Sequence, residues 1–193
     1  MICVPIVSKT VEEAVEDIKK AEEVADIIEF RLDYLKNPEL KILLGAAEKP
    51  VIVTCRKKSE GGLYDGDEEG RVDILLKAIE EGASYVDIEL STQEPLLEKL
   101  KSKQAAETRL ILSYHNFQQV PEDLQKIYDR MLQKGFDIIK ITVMANSIED
   151  NLKIFDIIEQ AKSKNIDIIA FCMGEHGEIS RVLSPLFGGY LTF

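Results

Sequence analysis

Short runs rich in Ile, Val and Leu recur about every two to three dozen residues: ICVPIV, IIEFRLD, VIVTCR, YVDIEL, RLILSYH, DIIKITV, DIIAFCM and YLTF. Each is strand-sized. The segments between them carry apolar residues at helical spacing, as in Val11 to Glu23, Val72 to Glu81, Glu122 to Lys134 and Ile148 to Lys164. Thr10 and Ser147 stand where N-caps are expected, and Gly82 and Gly135 where helices stop. Continuous apolar strands are buried on both faces, and parallel neighbours need a crossover of helical length. The alternation therefore predicts an α/β protein with a parallel sheet covered by helices. Eight strand candidates favour a closed (β/α)8 TIM barrel over an open doubly wound sheet. No GxGxxG turn follows a strand, and Gly61 and Gly62 precede LYDG rather than GK[ST], so neither common nucleotide loop is present. The sequence given stops at Phe193, in or just after the eighth strand, so the expected barrel lacks its final helix.

A chain of 193 residues fits one domain, 1–193, with a single sizeable core. Acidic residues outnumber basic ones by 35 to 24 and no Lys/Arg block occurs, which argues against nucleic acid as a partner. The apolar runs are too short to span a bilayer and the opening MICVPIV lacks a basic n-region, so a cytoplasmic protein is expected. Cys3, Cys55 and Cys172 are odd in number, far apart and set in apolar runs, which reads as buried free thiols. The histidines, His115 and His176, are also far apart, and no metal site is expected.

The sharpest chemical signal is Lys140, mid-strand in DIIKITV between Ile139 and Ile141. Either face of such a strand is costly for an ammonium, and desolvation favours the neutral amine, a carbonyl nucleophile. The bland alternative is that Lys140 snorkels to the strand end or pairs with an acid such as Glu89. His115 closes the preceding strand, so the two side chains are expected to converge. A histidine beside an imine-forming lysine is the minimum apparatus for removing a proton α to the imine carbon.

In IIEFRLD, alternation places Glu29, Arg31 and Asp33 on one side of the strand. Such charges form either an ion-pair layer or an Arg/Glu pair offered to a hydroxylated substrate; Asp33 reads as structural. Arg56 ends the third strand and leads into KKSEGGLYDGDEEG, a polar Gly-rich loop suited to a lid, with Glu60 inside it. Asp87 and Glu89 alternate in YVDIEL and suggest an internal network holding Lys140 and the arginines. In CMGEHGEISR, two glycines precede a helix start, so backbone N–H groups with Arg181 suit a carboxylate. His176 reads as a turn residue.

Five motifs, in order, resemble the type I 3-dehydroquinate dehydratases: Glu29-Phe30-Arg31-Leu32-Asp33; Thr54-Cys55-Arg56 with Glu60-Gly61-Gly62; Ser113-Tyr114-His115; Lys140-Ile141; and Met173-Gly174 followed by Ile179-Ser180-Arg181. The resemblance runs from Pro5 to Phe193. It implies that Lys140 forms an imine with the C3 ketone of 3-dehydroquinate and that His115 removes the C2 proton and assists loss of the C1 hydroxyl. It also implies that Glu60 orients or protonates His115, that Glu29, Arg31 and Arg56 hold substrate hydroxyls, that Arg181 grips the carboxylate and that Met173 packs against the ring. No metal or organic cofactor is implied, and a homodimer is an expectation from the family. Two departures stand out. Asn116 follows His115 where the family has Asp, and the family's Ser-Ala-Pro-Gly-Gln loop, whose Ser and Gln contact substrate, lies past Phe193; weaker binding and slower turnover are the expectation. A class I aldolase, or a chain that binds dehydroquinate without turnover, are the competing readings.

Overall fold

The computed structural model describes every residue, Met1–Phe193. Two compact units emerge, one of Ile2–Leu110 and one of Ile111–Phe193 together with Met1. In the first, parallel strands β1 (Cys3–Ile6), β2 (Ile27–Arg31), β3 (Val51–Thr54) and β4 (Tyr85–Glu89) pair in chain order. Helices α1 (Val11–Ala21), α2 (Leu40–Ala46), α3 (Glu68–Glu80) and α4 (Glu94–Ser102) alternate with them. In the second unit, β5 (Arg109–Asn116) from Ile111 onward, β6 (Ile138–Met144) and β7 (Asp167–Met173) pair in the same parallel, sequential way. They alternate with α5 (Leu124–Gln133), α6 (Asp150–Ser163) and α7 (Glu178–Phe187).

Local chemistry accounts for most of these boundaries. The Thr10 hydroxyl accepts the Glu13 N–H at 3.2 Å, and α1 carries Glu12 and Glu13 in its first turn and Lys19 and Lys20 in its last, matching the helix dipole. Gly82 and Gly135 adopt φ of 88° and 64°, the left-handed geometry that stops a helix. Ser147 does not cap α6, contrary to its placement in sequence. The helix begins later, at Asp150, whose carboxylate accepts the N–H groups of Asn146 (3.0 Å) and Ser147 (3.2 Å) and so organises the turn before it. The YLTF run forms no full strand. Tyr190 donates to the Ile168 carbonyl (2.7 Å) and Thr192 to that of Met1 (3.0 Å), but α7 runs to Phe187 and Gly188 turns the chain with φ of 115°, leaving little length to pair.

One face of β2–β4 is apolar, with Ile28, Phe30, Val53, Val86 and Ile88 all buried, and α3 adds Val72, Leu75, Ala78 and Ile79 against β3 and β4. Each large side chain buried in this way contributes about 1.5–3 kcal/mol. The other face carries charge. Arg31 aligns with Thr54 and Thr54 with Asp87, so Glu29, Arg31, Thr54, Asp87 and Glu89 share that side. Glu29, Asp87 and Glu89 are buried there and require partners. Arg56 supplies one, bridging Asp87 at 2.8 Å and Glu89 at 3.1 Å. Arg71, from α3, supplies the second: it is 0% exposed, pairs with Glu89 and Glu68, and donates to the Thr92 hydroxyl (2.8 Å) and the Cys55 carbonyl (3.2 Å).

Removing the Arg71 guanidinium leaves one oxygen of the buried Glu89 carboxylate without its ion-pair partner. Arg71→Ala is expected to lower stability by about 3–5 kcal/mol, whereas Lys99→Ala, which breaks an exposed pair with Asp73, costs about 0–1 kcal/mol. Urea melts of both variants test this, and equal losses would contradict the network's importance.

Candidate active site

In the first unit, three residues proposed from sequence have defined partners. Arg31 lies at the end of β2 and Asp33 just beyond it, in a 3-10 turn (Leu32–Tyr34) rather than in continued strand. The alternation expected through Asp33 therefore stops at Arg31. The Asp33 carboxylate accepts Arg31 Nε at 2.9 Å and Nη2 at 2.8 Å, and also the N–H groups of Arg56 (3.2 Å) and Leu63 (3.0 Å). Burial works against the Arg31 charge, but the Asp33 pairing outweighs it and the guanidinium stays above its ordinary range. Glu29 accepts the Thr54 hydroxyl at 2.7 Å. Arg56 is 4% exposed; despite burial, Asp87 and Glu89 raise its affinity for the proton.

Glu60 sits in a 3-10 turn (Lys58–Glu60) of the loop after β3, where its carboxylate accepts the Ser91 hydroxyl. The loop is internally tied: Tyr64 donates to the Arg56 carbonyl (3.0 Å), Gly62 to Lys57 (3.0 Å) and Lys58 to Tyr64 (3.1 Å). Gly61 has φ of 77°, and a Cβ on Gly62 would overlap the Arg56 carbonyl, so the Gly-Gly pair is a steric requirement of the path. Burial raises the Glu60 carboxyl above its ordinary range, and the Ser91 hydrogen bond offsets part of that rise.

In the second unit, β5 and β6 bring a histidine and a lysine onto one face. Ser113 aligns with Lys140 and His115 with Thr142, so Ser113, His115, Lys140 and Thr142 point to the same side. Lys140 aligns in turn with Ile169, Thr142 with Phe171 and Met144 with Met173, extending that face onto β7. Lys140 is 5% exposed, and its amine lies 4.4 Å from the centre of the Phe193 ring. Phe193 packs against Phe171 at 5.9 Å, and the Arg181 guanidinium covers Phe171 at 5.0 Å while its Nη1 donates to the Phe193 carbonyl at 3.5 Å. An open cleft lined by Gly174, Glu178, Arg181, Val182 and Phe193 leads to this aromatic group. The His115 ring is stacked with Phe117 at 6.1 Å, and Asn116 accepts the Gln118 and Gln119 N–H groups, shaping the turn after the histidine. His176 lies in a 3-10 turn (Glu175–Gly177), with its carbonyl held by Asn151. Phe193 was not singled out by sequence, where it reads only as the end of an apolar run.

A buried strand lysine with a histidine on the adjacent strand, set in a parallel βα repeat, is the arrangement of a lysine-dependent α/β lyase. A family model described as type I 3-dehydroquinase matches residues 2–193, and the chain belongs to that family. It is 41% identical to the 3-dehydroquinate dehydratase of Methanocaldococcus jannaschii, over 100% of this chain and 87% of that protein. It is 40% identical to the chloroplastic bifunctional 3-dehydroquinate dehydratase/shikimate dehydrogenase of Arabidopsis thaliana, covering 100% of this chain but only 33% of the plant protein. The structure of a type I 3-dehydroquinate dehydratase from Clostridium difficile matches all of this chain and 82% of that one, with a TM-score of 0.89 and 27% identity. The fold class is accordingly the TIM-barrel type of these enzymes.

Two outcomes follow from the Glu60 loop. A carboxyl with a raised folded pKa gives a stability contribution that is complete below its ordinary range and is lost as pH rises through the shifted value. Urea midpoints measured from pH 4 to 8 should therefore fall less with rising pH in Glu60→Gln than in the parent; parallel curves would refute the assignment. Gly62→Ala should loosen this loop, seen as faster amide exchange over residues 57–64 with β1 and β2 unaffected.

Proposed function

We propose that the chain dehydrates 3-dehydroquinate to 3-dehydroshikimate in the shikimate pathway through a Schiff base on Lys140. The observation that carries the reading is the placement of Lys140, buried, on the same sheet face as His115 one strand away. The neutral Lys140 amine adds to the C3 ketone; the resulting carbinolamine loses its hydroxyl as water and becomes an iminium. The iminium acidifies C2, whose proton passes to His115. Electrons from the broken C–H bond form the C1–C2 double bond, and the C1 hydroxyl departs as water with a proton supplied by the imidazolium. Hydrolysis of the imine returns the ketone oxygen and frees Lys140, so one water is lost overall.

The remaining roles are assigned from the matching motifs. Arg31, whose guanidinium keeps some exposure while Asp33 fixes its plane, and Glu29, held by Thr54, contact substrate hydroxyls, as does Arg56. Arg181 binds the carboxylate, Met173 packs against the ring and Glu60 orients or protonates His115. Reaction in the cytoplasm is consistent with Cys3, Cys55 and Cys172, all buried free thiols, burial pushing those of Cys55 and Cys172 up to about 12. No helix is long and apolar enough to cross a membrane.

Borohydride reduction in the presence of 3-dehydroquinate, followed by peptide mass spectrometry, should place an adduct on Lys140. Lys140→Met should form none, and His115→Ala should keep the adduct while turnover falls about 10²–10⁴-fold. A folded parent protein that gives no adduct would sink the reading.

A further inference from the structure

Four side chains bury a polar atom that finds no hydrogen-bond partner: Tyr128, Asn151 and Ser184 on helices α5, α6 and α7, and Thr142 on β6. Thr142 alone belongs to the sheet face that carries Lys140. It is 5% exposed, lies two residues beyond Lys140 on the same strand and aligns with His115 on one side and Phe171 on the other. A buried hydroxyl without a partner is costly, and on a face that carries a reactive lysine it is available to complete its hydrogen bonding with a ligand.

We propose that Thr142 is a further catalytic residue: its hydroxyl donates to the C3 oxygen of the substrate as that oxygen becomes the carbinolamine hydroxyl and leaves as water. The inference rests on Lys140 as the imine-forming residue. The Lys140 side chain extends from the strand toward a carbon that also bears the oxygen to be expelled. A donor two residues farther along the same face is suitably placed to meet that oxygen, with His115 beside it to exchange the proton. In the bond changes, nitrogen takes the place of oxygen on C3, and the oxygen departs with two protons, one from the amine and one from the general acid. Thr142 donates a hydrogen bond throughout and is not consumed. Its contribution is confined to making and hydrolysing the imine, the two steps in which the C3 oxygen is present. It has no part in removing the C2 proton.

The test uses Thr142→Val, which keeps the branched shape and removes the hydroxyl, and Thr142→Ser, which keeps the hydroxyl. Imine formation is timed by rapid quenching with borohydride and mass spectrometry. Turnover is compared for 3-dehydroquinate with hydrogen or deuterium at C2. Thr142→Val is expected to slow adduct formation about tenfold and to shrink the deuterium effect, because imine formation becomes more rate-limiting. Its Tm should rise by about 2–4 °C, since an unpartnered polar atom is removed from the interior. Thr142→Ser should form the adduct within about twofold of the parent rate. An unchanged trapping rate in Thr142→Val, or a loss in Thr142→Ser equal to that in Thr142→Val, would overturn the role while leaving the parent adduct on Lys140, and hence the dehydratase reading, intact. A parent protein that forms no adduct would remove both.

Discussion

Charge confined to one face of the parallel strands β2–β4 is the constraint from which the organisation of the first unit follows. Strands buried on both sides normally carry apolar residues throughout, yet here Glu29, Asp87 and Glu89 are all buried. The solution is a shared-acceptor arrangement in which Glu89 is held by two guanidiniums, one from the end of β3 and one from α3. Each arginine meets a different carboxylate oxygen, and Arg71 ties its helix to the Cys55 carbonyl and the Thr92 hydroxyl at the same time. Packing between helix and sheet is thus coupled to electrostatic satisfaction within the sheet.

The second unit handles polarity differently. Its strand β6 carries Lys140 between alignment partners Ser113 and Ile169 and against the Phe193 ring. The ring packs on the amine and holds it on the sheet face that it shares with His115.

Much of this was legible in the sequence because it depends on short-range periodicity. The alternation of strand and helix, the Thr10 cap, the stops at Gly82 and Gly135 and the strand placement of Lys140 and His115 all follow from residues within a turn or two of one another. What escaped depends on distant partners. Arg71 carries no signal in the sequence, because its partners Glu89 and Thr92 lie some twenty positions on. Thr142 is an unremarked β-branched strand residue until its hydroxyl is found to be unmatched. Asp33 looks like continued strand alternation, but its four donors come from Arg31, Arg56 and Leu63 and bend the chain into a tight turn. The eighth apolar run, YLTF, forms no full strand, and apolar composition alone does not show how much backbone remains after a helix stop.

The close passage of Gly62 over the Arg56 carbonyl fixes the path of the loop that carries Glu60. Residues from Arg56 to Tyr64 are knotted together by their own backbone hydrogen bonds, so a rotation inside that stretch would break several of them at once. Side chains carry the tie past Tyr64: Lys58 pairs with Asp65 at 2.8 Å and the Tyr64 hydroxyl donates to the Asp67 carbonyl at 3.1 Å, just ahead of α3. The segment is therefore braced as one piece, an outrigger that carries the Glu60 carboxylate with the Ser91 hydroxyl hydrogen-bonded at its tip.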